Sequence, residues 1–334
     1  NGTASLYLVG KALNWNKQSI VICPTNSFVA TANCIELNGA STQFVDINNK
    51  TFCIDTNKLE DTIKRNLKKN KFIHSVIAVD YAGLPCDWDD ISYLSKKYKF
   101  KIINDNCHAI GSRFKNNPYY SQKYADLSTY SFHPVKTITT GEGGAIFTNN
   151  KSFIDKINLL KNHGLIRENN ISNQNSWPYE LREIGFNFRL SDINCALGNS
   201  QLNKLNNFLF QRQKLANFYN KFFKSYSDII QTQHVNKDHK NSYHLYSIRV
   251  KFSKLKINKS DLFKKMLKDK VSLQVHYRPI HTQPYYKKKY NLKNSEFPES
   301  MKFYKEQISL PIYPDLSLKK AKYVATRLIK NIVS

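Results

Sequence analysis

The sequence predicts an α/β protein in which a large domain with a mainly parallel sheet is followed by a smaller α+β C-terminal domain. From Ser19 to Phe147, nearly continuous apolar segments of strand length recur along the chain. The stretches between them carry apolar residues at helical spacing, a pattern typical of a parallel sheet covered by helices on both faces. The chain has 334 residues, of which 41% are hydrophobic, and this is enough for a large core.

Each element of the large domain is predicted from its own pattern. The predicted strands are 19–24, 42–47, 74–81, 100–106, 126–132 and 143–149. The predicted helices are 27–39, 55–70, 87–99 and 151–164, the first ending at Gly39 and the last with Gly164 at its C′ position. Ligands bind at the carboxyl ends of such strands, so the first candidates for a site are the polar residues within 24–28, 105–108 and 131–136.

A long helix leads into the second part of the chain. It is predicted over 191–223, with Ser191 or Asp192 as its N-cap. The elements predicted after it are strands near 243–250 and 271–277 and helices at 260–269 and 317–332. We place the domain change inside the long helix, which gives a large domain of residues 1–200 and a small domain of residues 201–334.

The chain is strongly basic, with 51 Lys and Arg against 25 Asp and Glu and a formal net charge of +26. A basic surface attracts nucleic acid. Here, however, the excess is mostly lysine, is spread along the chain and accompanies abundant Asn and Ile, which indicates a compositional bias on a solvated surface. We therefore expect no nucleic-acid partner.

The sequence also predicts a cytoplasmic protein without a membrane span. It contains no apolar run of the roughly 18 residues that a spanning helix needs. The six cysteines occur singly, without the spacing of a disulfide framework or a zinc site, so we expect reduced thiols and no metal. The start, NGTASLYLVG, has neither an initiator Met nor the basic region of a signal peptide, and we expect that a preceding segment is missing.

The segment SFHPVKTITTGEGG, residues 131–144, carries the clearest chemical signal. Between Asp126 and Lys151 the only formal charges are Lys136 and Glu142, although 23% of the whole chain is charged. A lysine in an uncharged, desolvated setting has a lowered pKa, and its neutral amine is a nucleophile. The glycines permit sharp turning and close approach of the backbone to a planar or phosphorylated ligand. A surface lysine in a polar hairpin explains this segment equally well, so other residues must decide.

A cofactor that withdraws electrons and is held by a lysine needs further partners. These are an acid beside its ring nitrogen, a stacking surface and phosphate donors. Asp105 ends the apolar strand KIIND, and Phe28 follows SIVICP. Gly2 and Thr3 precede the helical run ASLYLVGKAL, so their backbone N–H groups are placed to bind a phosphate, and Ser131 adds a hydroxyl.

Seven segments, in chain order, carry a resemblance to one family. They are NGTASLYL, TNSFVATAN, VDYAGLPCD, IINDNCHAIGS, SFHPVKTITTGEGGA, GFNFRLSDINCALG and VHYRPIHTQPYY. Over residues 1–316 the chain resembles the sugar aminotransferases of the DegT/DnrJ/StrS family, pyridoxal-phosphate enzymes of the aspartate-aminotransferase fold type (fold type I). The resemblance is closest to the pseudaminic-acid branch. It implies transfer of the amino group of glutamate to the C4 ketone of a nucleotide-linked 4-keto-6-deoxy sugar, UDP-linked in that branch.

The resemblance also implies roles for individual residues. Lys136 would carry pyridoxal 5'-phosphate covalently and move the proton of the reaction, while Asp105 would pair with the ring nitrogen. Phe28 would stack on the ring, and His108 would lie beside Asp105. The implied phosphate-binding residues are Gly2, Thr3, Ser131 and, from the partner subunit of a homodimer, Asn187. The candidates for substrate binding are Arg189, His276, Arg278 and His281.

Two other functions stay open at this point. One is a dehydratase of keto sugars with the same cofactor; such relatives carry His in place of the lysine, so Lys136 favours the aminotransferase. The other is a non-catalytic, DNA-binding regulator, a function that the net positive charge of the chain favours. A metal site at His276 and His281 is not expected, because Pro279 lies between them and no carboxylate is near in sequence.

Overall fold

A computed structural model of the chain describes residues 1–167 and 179–333. The centre of the large domain is a six-stranded sheet. Its strands are β1 (Ile20–Pro24), β2 (Ser41–Val45), β3 (Ser75–Val79), β4 (Lys101–Asp105), β5 (Leu127–Ser131) and β6 (Gly144–Phe147). The spatial order is β2-β1-β3-β4-β5-β6, and all neighbouring pairs are parallel except β5 and β6.

Helices cover this sheet, and several begin at side chains that cap them. They are α1 (Gly2–Ala12), α2 (Ala30–Leu37), α3 (Thr56–Leu67), α4 (Trp88–Tyr98), α5 (Tyr120–Tyr124) and α6 (Lys151–Leu160). Asp55 and Asp87 accept hydrogen bonds from the N–H groups of the first turns of α3 and α4. Carboxylates at these positions also interact favourably with the positive end of the helix dipole.

The second part of the described chain is built on a smaller, antiparallel sheet. After the short pair β7 (Leu165–Arg167) and β8 (Tyr179–Leu181) comes α7 (Asp192–Phe223). The three-stranded sheet has the order β11-β10-β9 and consists of β9 (Ile230–Thr232), β10 (Tyr246–Val250) and β11 (Gln307–Leu310). The remaining helices are α8 (Lys259–Lys268), α9 (Pro284–Tyr290), α10 (Pro298–Glu306) and α11 (Leu318–Val333). Within the described ranges, no helix combines the length and apolar character needed to cross a membrane.

Two apolar cores lie on the two faces of the large sheet. Successive side chains of a strand point to opposite faces, and in β1 Val21 belongs to one core while Ile22 belongs to the other. In β3 the same alternation separates Ile77 from Val76. This explains why these strands are apolar throughout: both of their faces are buried.

A third core lies under the three-stranded sheet and begins, along the chain, at Leu215 in α7. Not all later residues belong to this third core. Tyr286 and Phe297 pack into one core of the large domain, and Phe303 packs into the other. The division at residue 200 stays a prediction. The cores place residues 286–303 against the large domain.

The predicted strands of the large sheet are present, as are the four helices predicted beside them, and Ser191 is the N-cap of α7. The strand predicted at 271–277 is wrong. Only Gln274 pairs there, with Ser309 of β11, and the next residues leave the sheet because the His276 side chain binds Ser309 Oγ instead (2.8 Å).

The role predicted for Gly164 is also wrong. Helix α6 ends at Leu160, with Lys161 as its C-cap, so Gly164 lies beyond the C′ position. Gly164 has a φ of +76° and packs so tightly that an added Cβ would lie 1.6 Å from the carbonyl oxygen of Glu183. A close approach of two backbone segments, and not a helix end, requires glycine here.

Candidate active site

A cavity of about 1180 Å³ opens at the carboxyl ends of β1, β4 and β5, beside β11 of the smaller sheet. Residues from distant parts of the sequence line it. Of the predicted site residues, those in its wall are Gly2, Thr3, Phe28, Asp105, His108, Ser131, Lys136 and His276. The topology explains this convergence, because neighbouring parallel strands end at the same edge of the sheet.

Asp105 is the last residue of β4 and is 4% exposed. The Thr31 hydroxyl donates to its Oδ2 (2.7 Å), and the backbone N–H of Cys107 donates to its Oδ1 (3.3 Å). These two donors fix the plane of the carboxylate. A fixed, buried carboxylate at a strand end is placed to hold a proton on a heteroaromatic nitrogen.

Lys136 lies in the turn after β5, where its backbone N–H donates to the His133 carbonyl (2.9 Å). Burial lowers the pKa of its amine, and interactions with Cys107 and the Asp105 carboxylate act in the opposite direction. Within the described ranges, no protein group accepts a hydrogen bond from this amine. The setting therefore increases the neutral, nucleophilic fraction of the amine.

The first turn of α1 faces the cavity and packs closely on β5. Asn1 caps the helix by accepting from the N–H of Ala4 (2.9 Å), whereas the N–H groups of Gly2 and Thr3 have no partner in the described chain. A Cβ on Gly2 would lie 2.9 Å from the Cβ of Ser131, so only glycine permits this packing. Free N–H groups at a helix N-terminus beside a hydroxyl form a site for a phosphate.

The glycines that follow Lys136 serve the same packing. Gly141, with a φ of +78°, makes the turn, and a Cβ on Gly144 would lie 2.6 Å from the backbone of Asn1. The backbone approach predicted for this segment is therefore an approach to the start of α1 in the described structure. This contact holds the N-terminus of α1 beside Ser131.

His108 lies deep in the cavity, three residues after Asp105. Its Nδ1 accepts the backbone N–H of Ala82 (3.3 Å), and its Nε2 lies 3.1 Å from the Tyr277 hydroxyl. Burial, reinforced by electrostatic interactions with Lys136 and His276, holds the pKa of His108 well below its usual value. The imidazole is neutral at physiological pH, and both ring nitrogens have partners.

Phe28 and His276 contribute to the wall in different ways. The Phe28 ring is 55% exposed and lies 5.9 Å from the Tyr277 ring, so one of its faces is available to a planar ligand. His276 is anchored on β11 by a hydrogen bond to Ser309 Oγ (2.8 Å), and its backbone N–H donates to the Gln307 side chain (3.1 Å). Burial lowers the pKa of His276 to about 4.

The other predicted site residues lie outside this cavity. Asn187 and Arg189 are exposed on the segment between β8 and α7, where the Arg189 guanidinium donates to Asn162 (2.6 Å). Arg278 is exposed and donates to the side chain and backbone of Thr282. Their substrate- or phosphate-binding roles stay predictions.

For His281 the structure does not support contact with a ligand. The side chain is 0% exposed, and its ring packs against Phe297 with a centroid distance of 4.5 Å. Neither ring nitrogen has a partner in the described structure, and burial lowers its pKa to about 4. A neutral histidine in the core explains this residue better.

Three residues of the site were missed from the sequence. Thr31 orients Asp105, Tyr277 bonds to His108, and His244 lies against His108 with ring centroids 4.5 Å apart and its Nδ1 unpartnered. Tyr277 lies inside the segment HYRPIH, between the candidates His276 and Arg278. Thr31 and His244 carry no such signal, because their approach to Asp105 and His108 depends on the packing of distant segments.

Fold and site together define a transferase of the pyridoxal-phosphate type. The residues fit that cofactor: a desolvated lysine amine, an oriented carboxylate, free helix N–H groups beside a hydroxyl and an available aromatic face surround one cavity. The tight contact of Gly2 with Ser131 supports this fit most directly, because it holds the free N–H groups of the helix N-terminus beside a hydroxyl, where an anion can bind.

The chain belongs to the DegT/DnrJ/EryC1/StrS aminotransferase family, whose model matches residues 1–329. It is 38% identical over 333 residues to the UDP-4-amino-4,6-dideoxy-N-acetyl-beta-L-altrosamine transaminase of Campylobacter jejuni subsp. jejuni serotype O:2, covering 98% of this chain and 83% of that protein. It is 33% identical over 318 residues to the spore coat polysaccharide biosynthesis protein SpsC of Bacillus subtilis, covering 94% and 79%.

Solved structures agree with this assignment. Helicobacter pylori PseC, described as an aminotransferase involved in the biosynthesis of pseudoaminic acid, matches with a TM-score of 0.87 and 30% identity, over 99% of this chain and 85% of that one. Spr1654 from Streptococcus pneumoniae in its PLP form matches with a TM-score of 0.86 and 26% identity, over 99% and 86%. The predictions of family, fold type I and an aminotransferase are confirmed.

Proposed function

We propose that this protein uses pyridoxal 5'-phosphate to move the amino group of glutamate to the C4 ketone of a UDP-linked 4-keto-6-deoxy sugar. The observation that carries the proposal is the pairing, in one cavity, of the desolvated Lys136 amine with the oriented Asp105 carboxylate. The sugar and its nucleotide are taken from the name of the Campylobacter transaminase and the length over which the two chains match.

The bound cofactor would supply a carbonyl group that takes up an amine and a ring that draws electrons. Lys136 would hold it and, once its amine is free, would take the Cα proton of glutamate. Asp105 would keep a proton on the ring nitrogen, which allows the ring to draw electrons. The helix N–H groups of Gly2 and Thr3, with the Ser131 hydroxyl, would bind its phosphate, and the Phe28 ring would cover one face.

The functional unit in this proposal is a homodimer with shared sites. The segment around Asn187 is unusually apolar for a surface: Ile184 is 81% exposed and Ile193 is 84% exposed. Exposed apolar clusters of this kind mark protein–protein contacts. A second copy seated there brings its own Asn187 toward the phosphate of this chain, which accounts for the distance of Asn187 from its own cavity.

A substrate panel tests the proposal. The protein, loaded with the cofactor, is incubated with glutamate and with UDP-, dTDP- and GDP-linked 4-keto-6-deoxy sugars, and products are analysed by mass spectrometry. We expect the UDP-linked substrate to exchange its ketone oxygen for an amino group. Loss of a hydroxyl oxygen without gain of nitrogen would indicate a dehydratase, and no product with any sugar would overturn the proposal.

A further inference from the structure

Tyr277 is a cavity residue to which nothing above assigns a role. It extends from the loop beside β11 toward the large domain, and its hydroxyl lies 3.1 Å from Nε2 of His108. Hydrogen bonds hold both backbone groups of the preceding residue, His276: the Tyr81 hydroxyl donates to its carbonyl, and its N–H donates to the Gln307 side chain. The position of the Tyr277 hydroxyl is therefore set by both sheets.

The direction of the bond between His108 and Tyr277 follows from the backbone. The Ala82 N–H can only donate, so Nδ1 of His108, which accepts it at 3.3 Å, carries no proton. Burial lowers the pKa of His108, so the ring is neutral and its single proton lies on Nε2. Nε2–H then donates to the Tyr277 oxygen, and the Tyr277 O–H is left to donate elsewhere.

The structure fixes the Ala82 amide that sets this direction. The turn at residues 80–86 is built on the buried Asp80 carboxylate, which accepts from the N–H of Cys86 (2.8 Å) and from the side chains of Asn104 (2.8 Å) and Tyr120 (2.7 Å). Ala82 in that turn has a φ of +62°. The tautomer of His108 is thus determined by a rigid part of the large domain.

In the described chain, His108 is the sole hydrogen-bond partner of the Tyr277 hydroxyl. The rings beside the Tyr277 ring are those of His108, Phe28 and His276. Burial and the negative charge of the Asp105 carboxylate both raise the pKa of the Tyr277 hydroxyl. The charge of Asp105 disfavours a second carboxylate at this hydroxyl, so a neutral oxygen acceptor suits the position better.

We infer that Tyr277 is a hydrogen-bond donor, directed into the cavity by His108, and that it binds the ketone oxygen of the amino acceptor. The second half of this inference depends on the proposed function. A donor at that oxygen polarises the C=O bond and stabilises the negative charge that develops on oxygen when an amine attacks the carbon. In the glutamate half of the reaction a ketone oxygen exists only in the product, 2-oxoglutarate, so the earlier removal of the Cα proton does not depend on this donor.

The direction of the hydrogen bond is tested without any reaction. Long-range ¹H–¹⁵N correlation NMR on ¹⁵N-histidine-labelled protein at neutral pH reports which ring nitrogen carries the proton, and the His108 signals are identified by their loss in His108→Gln. We expect a protonated Nε2 and an unprotonated Nδ1. The opposite tautomer would overturn the inference whatever the enzyme's activity.

The ligand is tested in Tyr277→Phe by separating the chemistry of the ketone from the removal of the Cα proton. We expect kcat/KM for the keto sugar to fall about 100-fold, the usual loss for one donor at a developing oxyanion, while the rate at which glutamate exchanges its Cα hydrogen for solvent deuterium stays within about twofold. Tyr285→Phe is the matched control, since its hydroxyl lies outside the cavity near Glu36 (3.4 Å). Equal loss in both measurements, or in neither, would contradict the assignment of the ketone.

Failure of the proposed function is distinguishable from failure of this inference. If the unaltered protein aminates no keto sugar, the proposed function and the ketone assignment both fall, while the NMR result still decides the direction of the bond. If it does aminate a keto sugar and Tyr277→Phe does so equally well, only the inference fails. Equal thermal unfolding midpoints of the variants and the unaltered protein verify that the fold is intact.

Discussion

The Thr31 hydroxyl donates to Oδ2 of Asp105 at 2.7 Å, and the Ser27 hydroxyl lies 2.7 Å from the same Thr31 oxygen. Since the Thr31 proton is used by Asp105, Ser27 must be the donor to Thr31. A chain of two hydroxyls therefore ends on the carboxylate and orients it toward the cavity. Thr31 is 1% exposed, so no water replaces it.

Thr31→Val removes this donor at nearly constant volume. A hydrogen bond to a charged group contributes about 1.5–3 kcal/mol, so we expect pyridoxal phosphate to bind at least about 10-fold more weakly. The measurement is a titration followed by absorbance. Thr42→Val is the matched control, because Thr42 donates to Glu36 (2.5 Å) outside the cavity. Equal affinities in all three proteins would show that Thr31 does not orient a cofactor ligand.

Lys136→Ala removes the amine that holds the cofactor. We expect added pyridoxal phosphate to give the unaltered protein an absorbance band near the edge of the visible range, and this band to be lost in the variant. Turnover should fall by several orders of magnitude, because the same amine moves the proton. Lys270→Ala, which alters another lysine of the cavity wall, should keep the band. An unchanged spectrum in Lys136→Ala would refute the assignment.

Gly2→Ala tests the phosphate site. The new Cβ would lie 2.9 Å from Ser131 Cβ and 3.2 Å from Cys107 Sγ, so α1 has to shift away from β5. We expect weaker binding of pyridoxal phosphate, by about 10-fold, and a smaller effect on pyridoxal, which lacks the phosphate. Isothermal titration with the two compounds measures the difference. An equal loss for both would place the phosphate elsewhere.

The sequence predicted the parts of the site that local patterns encode. Lys136 and Asp105 were found because one is isolated from other charges and the other ends an apolar strand. Tyr277, Thr31 and His244 belong to the site through packing between segments distant in sequence. Periodicity holds no information about such contacts, and even the correct segment HYRPIH gave the neighbours of Tyr277 and not Tyr277 itself.

The errors in the fold have a similar cause. Residues 271–277 have the composition of a strand, yet hydrogen bonds of His276 to Ser309 and Gln307 replace the ladder. Tertiary contacts override a local preference there. The binding role of His281 stays a prediction, although the core around Phe297 encloses its side chain.

The shared site of the proposed homodimer predicts complementation between two inactive variants. Lys136→Ala and Asn187→Ala each disable a different half of the site. In a mixed dimer, one of the two sites combines an intact Lys136 with an intact Asn187. We expect mixing, after denaturation and refolding together, to restore activity up to about a quarter of the unaltered rate. Absence of restoration would show that Asn187 acts within its own chain or not at all.

The interface itself is tested by charge. We expect Ile193→Asp to shift the protein from dimer to monomer, because a carboxylate would be buried in an apolar contact. Analytical ultracentrifugation measures the mass. Leu267→Asp, at a position on α8 that is 67% exposed, is the matched control and should leave the dimer intact. A dimer that survives Ile193→Asp would place the contact elsewhere.

His281 predicts how stability depends on pH. Its pKa is about 4 in the folded protein, against an ordinary value of about 6.5, so the unfolded chain binds a proton between these values while the folded chain does not. The free energy of unfolding is therefore unaffected by this titration above about pH 6.5, and it decreases as the pH falls toward 4, by at most about 3 kcal/mol. His281→Phe keeps an aromatic ring against Phe297 and removes the titration. We expect urea unfolding at pH 7 and pH 5 to give a smaller difference in that variant, whereas His234→Gln, on the surface, should behave as the unaltered protein. An equal pH dependence in all three would mean that water reaches the His281 ring in solution.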